Sequence, residues 1–476
     1  MKKLLLSAGL LMVGASAFAV TDGKTYETKN GLTCENIWVI DRFHDQANYE
    51  SLAICNKAAR TATTDGKTVY VGLSGDVATI EKFDLATGAY LGSLALTLNG
   101  EAFAGTLAAN QVGFDDCGHF FVASFNANSN GDTNYLVYIA DLETGALTSV
   151  GDLAFLGGIG RVDYCDVIGD LTGETMPGAV IAASSNTNLN IFLWTREQGA
   201  TEWAGGWSGM PYQEVTGTYP ADQTIFNYAS VAKFINDGTG VPNMFYVDGF
   251  TTLPAVYDNT GALLDSFANV DIIKSTTDET TGETTTTGTI PCPAAGTNGV
   301  AEAVLGENNF LIYSEGQYDG AHTCQAIVTT VNGDYEFSSM NHLWTLPADG
   351  LGQVSDGGTR VHAITTAALP DDEAGKQAMY LLTYKNFNGL GVYRIAEEGY
   401  NPQGAVAATS IAKANISVNG DVITVSAPAN IEVYNVAGQK VAQANNATQV
   451  VAPANGLYVV KATVNGQKIV KKVIVK

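Results

Sequence analysis

Residues 65–94 read DGKTVYVGLSGDVATIEKFDLATGAYLGSL. An acidic turn, Asp65-Gly66, leads into the apolar run Thr68-Val-Tyr-Val-Gly. β-Branched and aromatic residues dominate that run, which favours a strand. Phe83-Asp-Leu-Ala-Thr-Gly then ends a further strand in a tight turn, and Ala89-Tyr-Leu-Gly-Ser-Leu opens the next. One short stretch thus encodes several strands joined by turns, with no helical period in it.

The phrase recurs. Turns at Asp116-Cys117-Gly118, Asp170 to Glu174, Asp237-Gly238, Glu307-Asn308-Asn309 and Asp371 to Gly375 each precede an apolar strand. Those strands are His119-Phe-Phe-Val-Ala, Ala179-Val-Ile-Ala-Ala, Met244-Phe-Tyr-Val, Phe310-Leu-Ile-Tyr and Met379-Tyr-Leu-Leu-Thr. The second turn returns as Ala140-Asp-Leu-Glu-Thr-Gly and, shortened, as Tyr257-Asp-Asn-Thr-Gly. Six units at steps of roughly 50–70 residues mark a repeat architecture. A sheet of about four strands cannot bury both faces alone, whereas radially packed sheets cover one another. The expected fold is all-β: a six-bladed β-propeller over residues 20–400, followed by a small Ig-like β-sandwich. Seven blades, or a pair of stacked β-sandwiches, are the alternatives for the body. The strand Asn36-Ile-Trp-Val-Ile is expected to complete the last blade and remove the open edges.

The tail, residues 415–476, alternates apolar and polar residues in Val422-Ile-Thr-Val-Ser and again in Ile431-Glu-Val-Tyr-Asn-Val. Pro428 and Asn430 separate the two, and Asn455-Gly456 and Asn465-Gly466 signal turns. Six or seven short strands are expected there. Residues 413–476 carry a net charge of +5 in a chain of net −24, which sets the tail apart as a module. Residues 401–414, Ala-rich after Asn401-Pro402, read as a linker.

Three ordered blocks in the tail are Ile431-Glu-Val-Tyr-Asn-Val-Ala-Gly-Gln-Lys-Val, Asn455-Gly-Leu-Tyr-Val-Val-Lys and the terminal Lys471-Lys-Val-Ile-Val-Lys. Together they resemble the C-terminal sorting domain of the Bacteroidetes type IX secretion system. That resemblance implies recognition of residues 415–476 by the outer-membrane secretion machinery. It also implies removal of the tail, with release or attachment at the cell surface.

The other end supports export. Lys2-Lys3, the apolar run Leu4 to Val13 and Ala17-Phe18-Ala19 form a signal-peptide pattern, residues 1–19. The run is too short to span a bilayer, and no other stretch reads as a transmembrane segment. The expected location is extracellular or the outer-membrane surface, reached through the periplasm. Only 15% of residues are charged, and acidic ones outnumber basic ones 48 to 24. That balance excludes nucleic acid as a partner, because phosphate binding needs clustered Lys and Arg. Six cysteines in an exported chain allow disulfides, and Cys34–Cys55 is the pair nearest in sequence.

No local catalytic motif is present. The five histidines lack HxH or HxxxH spacing, and no GxSxG, HExxH or P-loop pattern occurs. Acidic groupings at Asp41, His44 and Asp45, and at Asp163 and Asp166, have calcium-ligand chemistry but read as turn caps. No metal is expected. The Asp-x-x-Thr-Gly turns resemble those of quinoprotein propellers, but Tyr90 and Leu147 stand near the place of the expected Trp. No cofactor is expected either. Three of the five tryptophans, Trp194, Trp203 and Trp207, fall in one unit with Tyr212 and Tyr219 close behind. Aromatic faces stack on sugar rings, so Trp194, Trp203, Trp207 and Tyr212 are the candidate ligand-binding residues. The competing reading is that these rings fill the gap between sheets. The function these readings favour is non-enzymatic binding of a glycan or host protein at the cell surface. The alternative is an extracellular glycosidase or lyase whose carboxylates come from separate blades to the channel.

Overall fold

The computed structural model describes residues 19–402 and 416–475, apart from 56–58, 106, 128–133, 155–160, 175–177, 185–189, 206–209, 212–230, 236–243, 250–251, 259–261, 267–271, 278–283, 291–298, 315–323, 354–361, 436–439 and 465–466. Residues 1–18 and 403–415, which hold most of the expected signal peptide 1–19 and linker 401–414, lie outside that set. The chain is all-β, with many small, mostly antiparallel sheets.

Six of these sheets are built around four strands, each strand beside the next in sequence. The first runs Ala59–Thr64, Thr68–Leu73, Thr79–Asp84, Tyr90–Ala95. The second runs Gln111–Phe114, Phe120–Ala123, Val137–Ala140, Ala146–Ser149, with two short strands added at its outer edge. The third begins at Arg161–Ile168, the fourth at Val231–Ile235 and the fifth at Val300–Leu305. The sixth has three strands of its own, His362–Ala368, Ala378–Lys385 and Gly389–Glu397. Its fourth is Leu32–Asp41 from the other end of the body, antiparallel to Gly389–Glu397.

The apolar runs singled out in the sequence are the second strands of these sheets. In Thr68–Leu73 and Phe120–Ala123 consecutive residues are buried, not alternate ones. A strand covered on both faces reads as a continuous apolar run. The covering comes from neighbouring sheets. Tyr70, Ile80, Phe120 and Tyr138 pack between the first and second sheets. Phe121, Val137, Val162 and Trp194 pack between the second and third. Similar clusters join the fourth to the fifth and the fifth to the sixth. Trp38, Val69, Phe83, Leu382 and Val392 then join the sixth sheet to the first.

The leading strand of each sheet also lies beside the leading strand of the next, and His362–Ala368 of the sixth lies beside Ala59–Thr64 of the first. These strands leave backbone groups unpaired along one edge, and polar side chains bridge the gaps. Val112 N–H donates to Thr61 Oγ1 at 2.8 Å. Gln111 exchanges two bonds with the Cys165 backbone, at 2.7 and 2.8 Å. Phe234 N–H donates to Asp166 Oδ2 at 2.9 Å, and Gly299 N–H to Asp248 Oδ2 at 3.3 Å. Thr366 Oγ1 donates to Glu302 O at 3.2 Å, and Thr365 Oγ1 to Ala62 O at 2.8 Å.

Ile272–Thr277 and Thr284–Ile290 pair as a hairpin, which suits β-branched threonine. One expectation needs correction. Among the described residues the tail has five strands, not six or seven. Pro428 does not end a strand, because Val422–Asn435 runs through it with a register shift between Thr424 and Ala429. Proline is tolerated at such irregularities. The tail keeps its own core, with Ile423, Ile431, Val433, Val460 and Ala462 buried together.

Candidate functional site

Where the six leading strands come together they border a cavity of about 240 Å³. Thr63, Gln111, Asp166, Lys233, Ala301 and Thr365 line it, one from each strand. Lys233 Nζ donates to Asp166 Oδ1 at 2.6 Å. The Lys233 side chain stays 35% exposed, so solvent reaches it inside the cavity. Burial disfavours the ammonium, but the Asp166 carboxylate more than offsets this and raises its pKa above lysine's ordinary value. Asp166 is the one carboxylate among the described lining residues. Glycoside hydrolysis ordinarily needs two flanking a bond.

A second set of charges is buried at the end of the sheets where the leading strands begin. Arg60, near the start of its strand, donates from Nη1 to Asp163 Oδ1 at 2.8 Å. Both side chains are buried, and Arg60 also lies over the Phe125 ring. Asn110 Nδ2 donates to the Asp163 carbonyl, fixing the second sheet to the third at the same level.

The candidate aromatic residues are divided. Trp194 is 1% exposed, and its Nε1 donates to Ala154 O at 2.9 Å. It stacks on Tyr135 and Phe192, with centroids 6.1 and 6.0 Å away. Here the ring fills the gap between sheets. Trp203 is half-buried, donates to Val150 O at 2.9 Å and carries the Arg196 guanidinium on its face at 4.6 Å. Trp207 and Tyr212 lie outside the described residues.

The acidic groupings are engaged by the protein itself. Asp163 and Asp166, three residues apart, each meet a cation from another sheet. Asp41 Oδ1 accepts the amides of Phe43 and His44, and its Oδ2 lies 2.8 Å from His44 Nδ1. The same arrangement appears at Asp115, which accepts the Cys117 and His119 amides and meets His119 Nδ1 at 2.8 Å. Asp170 lies 3.4 Å from the same nitrogen, so Asp115, His119 and Asp170 form the one described cluster with metal-ligand chemistry. Their oxygens are already occupied: Asp115 Oδ2 accepts the Leu171 amide, and Asp170 Oδ1 accepts the Thr172 amide and hydroxyl. The cluster ties the turn of the second sheet to that of the third. Sequence reading placed this turn on Asp116. The missed signal is an Asp three or four residues ahead of a His, present at both sites.

The expected Cys34–Cys55 disulfide is not formed. Cys34 packs between the fifth and sixth sheets, while Cys55 packs between the sixth and first, so separate cores keep the thiols apart. Burial pushes the Cys34 thiol well up.

Residues 411–476 match the family described as Secretion system C-terminal sorting domain. The C-terminal module is therefore a sorting domain of the type IX system, and it marks the chain for export to the cell surface or release. No helix among the described residues is long and apolar enough to cross a membrane. No curated protein matches the chain. Among solved structures, a DUF4623 family protein from Bacteroides eggerthii is similar at 11% identity, over 78% of this chain and 77% of that one, with a TM-score of 0.46. An alpha-L-arabinofuranosidase from Fusarium graminearum, in complex with an iminosugar inhibitor, is similar at 12% identity over 71% and 94%, with a TM-score of 0.37. A chain of the Mitotic Checkpoint Complex is similar at 11% identity over 82% and 98%, with a TM-score of 0.33.

Proposed function

We propose that the chain is a secreted or surface-displayed six-bladed β-propeller that binds a glycan or host protein and is delivered by its sorting domain. One observation carries the reading: the leading strands of six sheets neighbour one another in an order that returns to its start. The strand Leu32–Asp41, taken up by the sixth sheet, is the clasp such a ring needs. In this reading residues 1–19 are removed as a signal peptide, and Val20, whose carbonyl accepts Val39 N–H at 2.7 Å, begins the mature body. Residues 401–414 then act as the linker to the tail.

Binding is favoured over catalysis because the cavity's carboxylate is held by Lys233 and by the Phe234 amide. Trp203, Trp207 and Tyr212 remain proposed contributors to a ligand surface on the third unit. The test is a screen of the mature body, residues 20–402, against polysaccharide and host-protein arrays. Saturable binding is the expected result. Turnover of a polysaccharide, lost on one Asp or Glu substitution, would favour the enzyme reading instead.

A further inference from the structure

We infer that the central cavity is the seat for a single neutral sugar ring, gripped through adjacent hydroxyls by Lys233 and Asp166. The inference rests on the glycan-binding reading and gives it a ligand class. Size comes first. Pockets for drug-sized ligands run to about 300–1,000 Å³. A space of about 240 Å³ takes one small unit.

Charge selects the class. An anionic sugar would meet Asp166 in the wall, and Asp116 and Glu302 also act on the Lys233 charge. A cationic one would meet the Lys233 ammonium. A neutral polyol suits both groups, since a hydroxyl donates and accepts. Lys233 uses one of its three N–H bonds on Asp166, which leaves donors for a ligand oxygen. Asp166 Oδ1 keeps lone-pair capacity for a ligand hydroxyl. The two atoms stand 2.6 Å apart, close to the spacing of neighbouring hydroxyl oxygens on a sugar ring. Thr365 and Thr366 donate to backbone carbonyls, so their oxygens still accept. Phe114, Phe121 and Tyr164 give the cavity an apolar side for the ring's C–H face.

The test uses the full chain and methyl glycosides of neutral pentoses and hexoses, with glucuronate and glucosamine as charged controls. Binding is read by ligand-observed NMR and calorimetry. Lys233→Met alone leaves Asp166 uncompensated, so the working variant is the double substitution Asp166→Asn with Lys233→Gln, its fold checked by near-UV circular dichroism. The expected result is binding of a neutral glycoside, weaker uptake of both charged sugars and at least about a tenfold loss in the folded double variant. Equal binding by that variant, a preference for a charged sugar, or no monosaccharide binding while a glycan array is positive would overturn the cavity assignment alone. A negative glycan array removes the glycan reading with it.

Discussion

Arg60 Nη1 and Asp163 Oδ1 meet at 2.8 Å across 103 residues of chain, one from the first sheet and one from the third. Both are closed off from solvent, so neither charge has water to fall back on. Removing Arg60 takes away the buried cation that faces the carboxylate. Arg60→Met is expected to cost about 3–5 kcal/mol, whereas Arg60→Met with Asp163→Leu costs clearly less. Urea unfolding of the three proteins measures this, and equal losses in both variants would refute it.

Trp38 ties the strand Leu32–Asp41 to the first sheet. It lies on the strand contributed to the sixth sheet, is 1% exposed and donates from Nε1 to Leu85 O of the first sheet at 2.7 Å. Gly88 must stay a glycine there, because a Cβ would come within 2.9 Å of the indole. Trp38→Ala is expected to cost about 3–5 kcal/mol, and Gly88→Ala to destabilise through both this clash and its positive φ of 68°. Thermal melts of the two variants provide the comparison.

His44 gives the fold a pH-sensitive contact. Its hydrogen bond to Asp41 raises its pKa above the ordinary value of about 6.5. Folding therefore increases its proton affinity. The stabilisation is complete below that ordinary value and is lost as pH rises through the folded-state value. The Tm difference between the wild type and His44→Gln should shrink steadily from pH 6 to pH 9. A difference that grows with pH would reverse the assignment.

The cysteines offer a chemical check. Cys34 and Cys55 should remain thiols, with no peptide joining them in a non-reducing digest. Buried Cys34 should be alkylated only after unfolding. A recovered Cys34–Cys55 peptide would contradict the packing described.

Export should depend on the tail. Deleting residues 411–476 is expected to leave the body cell-associated, while the same body with the tail reaches the surface or the medium. Fractionation with an antibody to the body decides it.

Some of this was legible in the sequence and some was not, for physical reasons. The second strands announced themselves because sheets on both sides cover them, so Thr68–Leu73 is apolar almost throughout. The clasp strand was legible for the same reason, with Trp38, Val39 and Ile40 buried in a row. The leading strands were not. Ala59–Thr64 and His362–Ala368 are rich in Thr and Ala because they border a cavity, and no periodicity marks a residue as facing it. Lys233 and Asp166 are 67 residues apart, so only the folded chain brings them together. Trp194 misled in the other direction: in sequence, a ring that fills a gap looks the same as one that greets a ligand.

The pairing of Leu32–Asp41 with Gly389–Glu397 makes the body depend on its full length. Residues made first wait for residues made last, since Leu32–Asp41 finds its partner only in Gly389–Glu397. A polypeptide cut short before that partner keeps two raw edges on display and invites proteases or aggregation. The last strand of the body is thus made only shortly before the sorting domain, and the earliest strand waits for it.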